Sequence, residues 1–149
     1  MRTEKEVINL ILNVAKDDER IRAVLLVGSR ANPEVPKDIY QDYDITYFVE
    51  DITPFYNNPT WVEERFGKPL IMQMPEAMRY PIGDGSFNYM MIFPDGVRID
   101  LTFEFKKYID DGEPAVILLD KDNGRGFLPP KLVPNDKYWH IKPPSSLFF

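Results

Sequence analysis

The sequence predicts an α/β (α+β) fold in which a mixed β-sheet is flanked by helices. Three observations predict it. Apolar residues recur at helical spacing near the N-terminus, and several short runs of β-branched and aromatic residues are separated by Gly, Pro and Asp. One run, Arg22-Ala23-Val24-Leu25-Leu26-Val27, is apolar nearly throughout without alternating, as in a strand covered on both faces.

Thr3 followed by Glu6 is a capping-box signature, and Val7, Leu10, Ile11 and Val14 hold one apolar face to about Lys16, which predicts an amphipathic first helix. The apolar run after it ends at Gly28 and is expected to be a central strand. Ala31 to Gln41 holds two prolines and neither period, so a loop is expected there after a short helical turn. Tyr43-Asp44-Ile45-Thr46-Tyr47-Phe48-Val49 predicts a second strand, Trp61 to Phe66 a short helix stopped by Gly67, and Leu70 to Met74 another strand. Phe87 to Phe93 and Val97 to Phe103 flank Pro94-Asp95-Gly96, whose Asp-Gly step supplies the positive φ of a tight hairpin.

Glu104 to Asp111 reads as a helix, Ala115 to Leu119 as the last strand and Asp120 to Gly124 as a turn. Beyond Gly126, prolines at 129, 130, 134, 143 and 144 predict an extended or looped tail. Its apolar end, Leu147-Phe148-Phe149, needs cover from this domain, from a partner or from a continuing chain, and uncovered apolar surface of this kind can drive self-association.

A chain of 149 residues fits one domain and buries roughly 68–70% of its unfolded surface, enough for a real core. Without cysteine, disulfides and thiolate metal sites are excluded, a reducing cytoplasm is the natural though not the only home, and any metal must be held by oxygen. No segment approaches the ~20 apolar residues of a membrane span, and residues 1–6 lack an apolar signal core, so neither a membrane nor export is expected. The 24 acidic against 18 basic side chains, net −6, disfavour a nucleic-acid partner and favour a polycationic small molecule.

Asp42 and Asp44 carry the first chemical signal. On a strand, residues two apart share a face with Cα atoms roughly 6–7 Å apart, so two carboxylates converge and repel unless a cation lies between them. With oxygen ligands alone that cation is Mg²⁺, with Mn²⁺ as a substitute. Two solvated aspartates at a strand edge fit the same pattern. Asp100 sits mid-strand on the polar face of Val97 to Phe103, with Arg98 and Thr102, where an aspartate is disfavoured and needs a partner. A metal shared with Asp42 and Asp44 would serve, and so would a salt bridge to Arg98 or Arg30. Gly28-Ser29-Arg30 follows a buried strand; Gly28 admits close approach to the backbone, Ser29 and the next N–H groups can hold a phosphate oxygen, and Arg30 can add charge. Gly-Ser is also a common turn.

A strand, Gly28-Ser29, a spacer, Asp42-x-Asp44 and a later Asp100 together resemble the polymerase-β-like nucleotidyltransferase superfamily. Gly28-Ser29-Arg30-Ala31-Asn32, Gln41-Asp42-Tyr43-Asp44 and Arg98-Ile99-Asp100-Leu101-Thr102 are similar, more closely, to the aminoglycoside 6-adenylyltransferases, which inactivate streptomycin. The resemblance spans the whole chain. It implies a nucleotidyltransferase domain over 1–126, with 127–149 as a proline-rich tail or the start of a missing C-terminal helical domain. It further implies that Asp42 and Asp44 hold Mg²⁺ on the triphosphate of ATP and that Ser29 contacts a phosphate oxygen. Asp100 would be the third carboxylate, as base or as ligand only, and AMP would pass to a hydroxyl of the antibiotic, giving resistance. Two other readings stand beside it: transfer to another small molecule or a protein, and a non-catalytic module that binds a nucleotide or a partner.

His140, Tyr89, Met90 and Met91 read as packing residues, and the Glu63-Glu64 and Asp110-Asp111 pairs as solvated helix ends.

Overall fold

The computed structural model describes residues 1–32, 36, 38, 40–74, 86–105 and 115–122. Helix α1 (Glu4–Asp17) starts where the capping box predicts: Thr3 Oγ1 accepts from the Glu6 amide at 3.1 Å and Glu6 accepts from the Thr3 amide at 2.9 Å. Its buried stripe is Val7, Ile8, Ile11, Val14 and Ala15. Helix α2 (Pro59–Phe66) begins two residues earlier than predicted. Asn58 caps it by accepting from the Trp61 amide at 3.2 Å, and Pro59 suits a first turn whose N–H needs no partner. Gly67, at φ 94°, ends it.

Six strands follow in chain order: β1 (Ile21–Val27), β2 (Tyr43–Val49), β3 (Ile71–Gln73), β4 (Ser86–Ile92), β5 (Arg98–Phe105) and β6 (Ala115–Asp120). Their spatial order is β3-β4-β5-β2-β1-β6. Only β2 and β5 run parallel; every other neighbouring pair is antiparallel, so the sheet is mixed and the fold is α+β, as expected. β1 lies inside the sheet, and its unbroken apolar run is explained by burial on both faces. Val24 and Leu26 join the main core, whereas Ala23 and Leu25 join a smaller cluster with Phe48 and Ile117.

The main core lies between the sheet and both helices. Phe103 is its hub, stacked on Phe55 at 4.7 Å and Phe87 at 5.3 Å and met edge-on by Tyr47 and Trp61. The Tyr47 hydroxyl, fully buried, donates to the Ile11 carbonyl of α1 at 2.7 Å. Tyr89 is likewise a core residue whose hydroxyl donates to Phe55 O at 2.6 Å, in line with its predicted packing role. A short 3-10 turn, Thr53–Phe55, was not predicted; Asp51 accepts from the Thr53 amide at 2.9 Å and starts it.

The hairpin forms between β4 and β5 with Gly96 at φ 90°, as its Asp-Gly step predicts. One expectation is corrected here. Glu104 and Phe105 were expected to open a helix, but they continue β5, paired with Phe48 and Val49 of β2, because the open ladder of β2 extends that far. Residues 106–111 of that helix lie outside the described residues, as do the tail with His140 and residues 123–124 of the final turn. Asp120 belongs to β6 rather than to the turn.

The hairpin tip is tied to the N-terminus. Arg2 meets Asp95 at 2.8 Å through its guanidinium, its amide donates to the same carboxylate at 2.9 Å, and the guanidinium lies over Phe93. The Arg2 guanidinium beside it holds the Asp95 carboxyl well below the usual carboxylate range. A depressed folded pKa contributes stability that is complete above the unfolded value of about 4 and lost as the pH falls through the folded one. Asp95→Ala should therefore cost about 1 kcal/mol at neutral pH, since the pair is partly exposed, and the difference from wild type should shrink below about pH 4. Urea titrations across that range check it. Phe103→Ala should cost about 3–5 kcal/mol in the same measurement at pH 7, and a loss near zero would mean that Phe103 is no hub.

Candidate active site

The face of the sheet opposite the helices carries Asp44, Asn88 and Asp100 beside the small apolar cluster around Leu25 and Phe48. β1 stops at Val27, which pairs with Asp44, and Gly28 follows at φ 80°. A Cβ placed on Gly28 would stand 2.5 Å from Oδ2 of Asp44, so a side chain there would displace the carboxylate. The positive φ favours glycine here, and the close approach means that any added side chain would have to move the Asp44 carboxylate. Ser29 opens a short 3-10 turn, Ser29–Ala31, is exposed, and accepts from the Gln41 side-chain amide at 3.3 Å.

Asp44 and Asp100 are direct partners in the parallel β2–β5 ladder. Paired residues on neighbouring strands share a face about 4.8 Å apart, so both carboxylates rise from one spot at the centre of the sheet. Asp42 precedes β2, and its carboxylate turns to Arg98, 3.2 Å away, in a half-exposed ion pair. The predicted convergence is thus assembled in part: among the described residues no set of three or more His, Asp or Glu stands gathered as a metal-holding group. The salt bridge to Arg98, weighed above for Asp100, is made by Asp42.

Asp100 is half-buried and accepts a hydrogen bond from the side-chain amide of Asn88, which lies on the adjoining strand β4. Burial pushes its carboxyl above the ordinary carboxylate range, the Asn88 amide and Arg98 oppose that shift, and the charge of Asp42 adds to it. The nearby Asp42 charge and the desolvated Asp100 therefore leave negative charge that a cation would relieve. The donors are hard oxygens, and Asp44 and Asp100 already share a face. These two fit a divalent cation in kind and placement, whereas Asp42 stands beside them engaged with Arg98. Exposed ion pairs of that sort are worth about 0–1 kcal/mol, little against a divalent ligand bond.

Arg30, expected to add charge at a phosphate, has its guanidinium turned inward in this structure. Its guanidinium is 4% exposed, pairs with Glu4 at 3.0 Å, donates to Gln41 O at 3.1 Å and Asp38 O at 3.3 Å, and lies 3.8 Å over the Tyr43 ring. Three backbone and side-chain acceptors and an aromatic face hold it inward, so it braces the loop before Asp42 against α1. The burial that this demands follows from contacts distant in sequence.

Beyond Asp100, away from Gly28, a groove is lined by Ile71, Gln73, Met90, Ile92 and Arg98 and reaches Asp42 and Asp100. Met90 and Met91 both border it, Met91 from the buried side of β4. Asn88 escaped the sequence reading. Its alternation with buried Phe87 and Tyr89 was visible, but its nearness to Asp100 depends on the β4–β5 register. Glu63 and Glu64 are exposed on α2, as expected of a solvated helix end.

The family described as streptomycin adenylyltransferase matches residues 1–149. Aminoglycoside 6-adenylyltransferases of Campylobacter jejuni and Bacillus subtilis (strain 168) are 44% and 43% identical to the chain, over all of it and over 52% and 54% of their own lengths. The Staphylococcus aureus aminoglycoside 6-adenylyltransferase is 38% identical over 54% of its length. The chain thus spans about half the length of the curated relatives it matches. A crystal structure of an aminoglycoside 6-adenyltransferase from Bacillus subtilis superposes with a TM-score of 0.55 at 38% identity, covering 70% of this chain and 36% of that one. With the family matched from first residue to last, and a solved relative sharing the fold, the chain belongs to the streptomycin adenylyltransferase family.

Proposed function

We propose that the protein is a nucleotidyltransferase that moves AMP from ATP to a hydroxyl of an aminoglycoside such as streptomycin, with Mg²⁺ or Mn²⁺ as cofactor, and that it confers resistance from the cytoplasm. The observation that carries this reading is the in-register pair Asp44 and Asp100 with Gly28 pressed against Asp44. Family membership and the names of the relatives support the substrate class. The acidic balance, net −6, favours a polycationic acceptor over nucleic acid.

Ser29 and the N–H groups of its turn hold the triphosphate of ATP at the β1 side of the site. Asp42, Asp44 and Asp100 bind the divalent cation, which when present neutralises charge on the phosphates and on the oxygens that enter and leave. The acceptor approaches from the groove beyond Asp100, across the carboxylates from Ser29, as in-line displacement requires. Its hydroxyl oxygen bonds to the α-phosphorus, the bond from that phosphorus to the pyrophosphate oxygen breaks, and the hydroxyl proton leaves toward Asp100, as base, or toward solvent if Asp100 is a ligand only.

Mass spectrometry of streptomycin after incubation with ATP, Mg²⁺ and the protein tests the reading. A gain of one AMP is expected, reduced about 100-fold or more in rate by Asp44→Asn. Gly28→Ala should lower the rate similarly, because its methyl group displaces the Asp44 carboxylate. Retained transfer in Asp44→Asn would refute the assigned site. Mg-ATP binding without AMP on any aminoglycoside would instead place the acceptor in another chemical class.

A further inference from the structure

We propose that Asn88 is a positioning residue that fixes the Asp100 carboxylate, occupying Oδ1 so that Oδ2 faces the cation and the acceptor. The proposal rests on the reading of Asp44 and Asp100 as cation ligands given above. Asparagine is depleted in strand interiors, yet Asn88 sits mid-strand in β4 between buried Phe87 and Tyr89. It pairs with Thr102 and so lies diagonally beside Asp100, within reach of a side chain of its length. Its amide donates to Oδ1 of Asp100.

The physical need for such a donor comes from the aspartate itself. Its terminal torsion is broad and two-fold, so an unattached carboxylate turns freely and presents neither oxygen in one place. Its other neighbours give no fixed grip: Met90, its direct partner on β4, is apolar, Asp44 on the other side is of like charge, and Arg98 is engaged by Asp42. Asn88 alone, among these, is a neutral donor seated on a rigid strand. A group that orients a ligand carboxylate in this way commonly matters about 10–100-fold for cation affinity.

Titration of the whole chain with Mn²⁺, followed by electron paramagnetic resonance of the free ion, tests this. Asn88→Leu keeps the side chain's shape and removes the donor, while Asn88→Gln keeps an amide. The expected result is Mn²⁺ affinity lowered about 10–100-fold in Asn88→Leu and partly restored in Asn88→Gln, with the melting temperature of both near wild type. Wild-type affinity in Asn88→Leu, or equal losses in the two variants, would overturn the proposal. Asp44→Asn separates the two ideas. If it abolishes binding while Asn88→Leu does not weaken it, the positioning role alone fails; if Asp44→Asn also binds as wild type, the cation site itself is misassigned and the positioning role falls with it.

Discussion

The parallel pairing of β2 with β5 is the constraint on which the rest of the structure depends. One register places Tyr47 beside Phe103 and, on the other face, Asp44 beside Asp100. A slip of one residue would turn the aromatic hub to the polar side and bury the carboxylates, so the core and the site enforce each other. A parallel pair also needs a long crossover, and here α2, β3 and β4 lie within it in sequence. The crossover supplies Trp61 and Phe66 to the core and Asn88 to the site. The paired carboxylates thus sit on a sheet face whose geometry is set by packing on its reverse.

The second constraint is the close passage of backbone and carboxylate at Gly28. Oδ2 of Asp44 lies 2.5 Å from where a Cβ at residue 28 would stand, so the end of β1 and the Asp44 side chain at the start of β2 are closely fitted. The loop between them is held by a different device. Arg30 gathers Glu4, the Asp38 and Gln41 carbonyls and the Tyr43 ring around one buried guanidinium, joining the start of α1 to the approach to Asp42. A planar, permanently charged group with five donors suits that task as lysine would not.

Charge is distributed unevenly around the carboxylates. Asp100 is desolvated and close to the charge of Asp42, whereas Asp42 is itself half-exposed and paired with Arg98. Burial makes the first a group whose ionised form needs support, and exposure makes the second free to change partners at little cost. Such a division suits a site that binds and releases a charged co-substrate. It also follows from topology, since Asp100 is central in β5 while Asp42 stands just before β2.

The sequence by itself determined the local elements and the kinds of chemistry. The capping box at Thr3 and Glu6, the Asp-Gly step at the hairpin, the stop at Gly67 and the β-branched runs each act over a few residues, so α1, α2, β2 and the hairpin were legible to within about two residues. The order Gly28-Ser29, Asp42-x-Asp44, Asp100 was enough to draw attention to the carboxylates. Only the tertiary structure decided which groups meet. The pairing of Asp44 with Asp100, far apart in the chain, the inward turn of Arg30, the capture of Asp42 by Arg98 and the approach of Asn88 all depend on strand order and register. The same physics moved Glu104 from helix to strand. Local propensity sees the few bonds a residue makes with its chain neighbours, whereas these choices are made by burial and by backbone ladders between segments that no short-range pattern records.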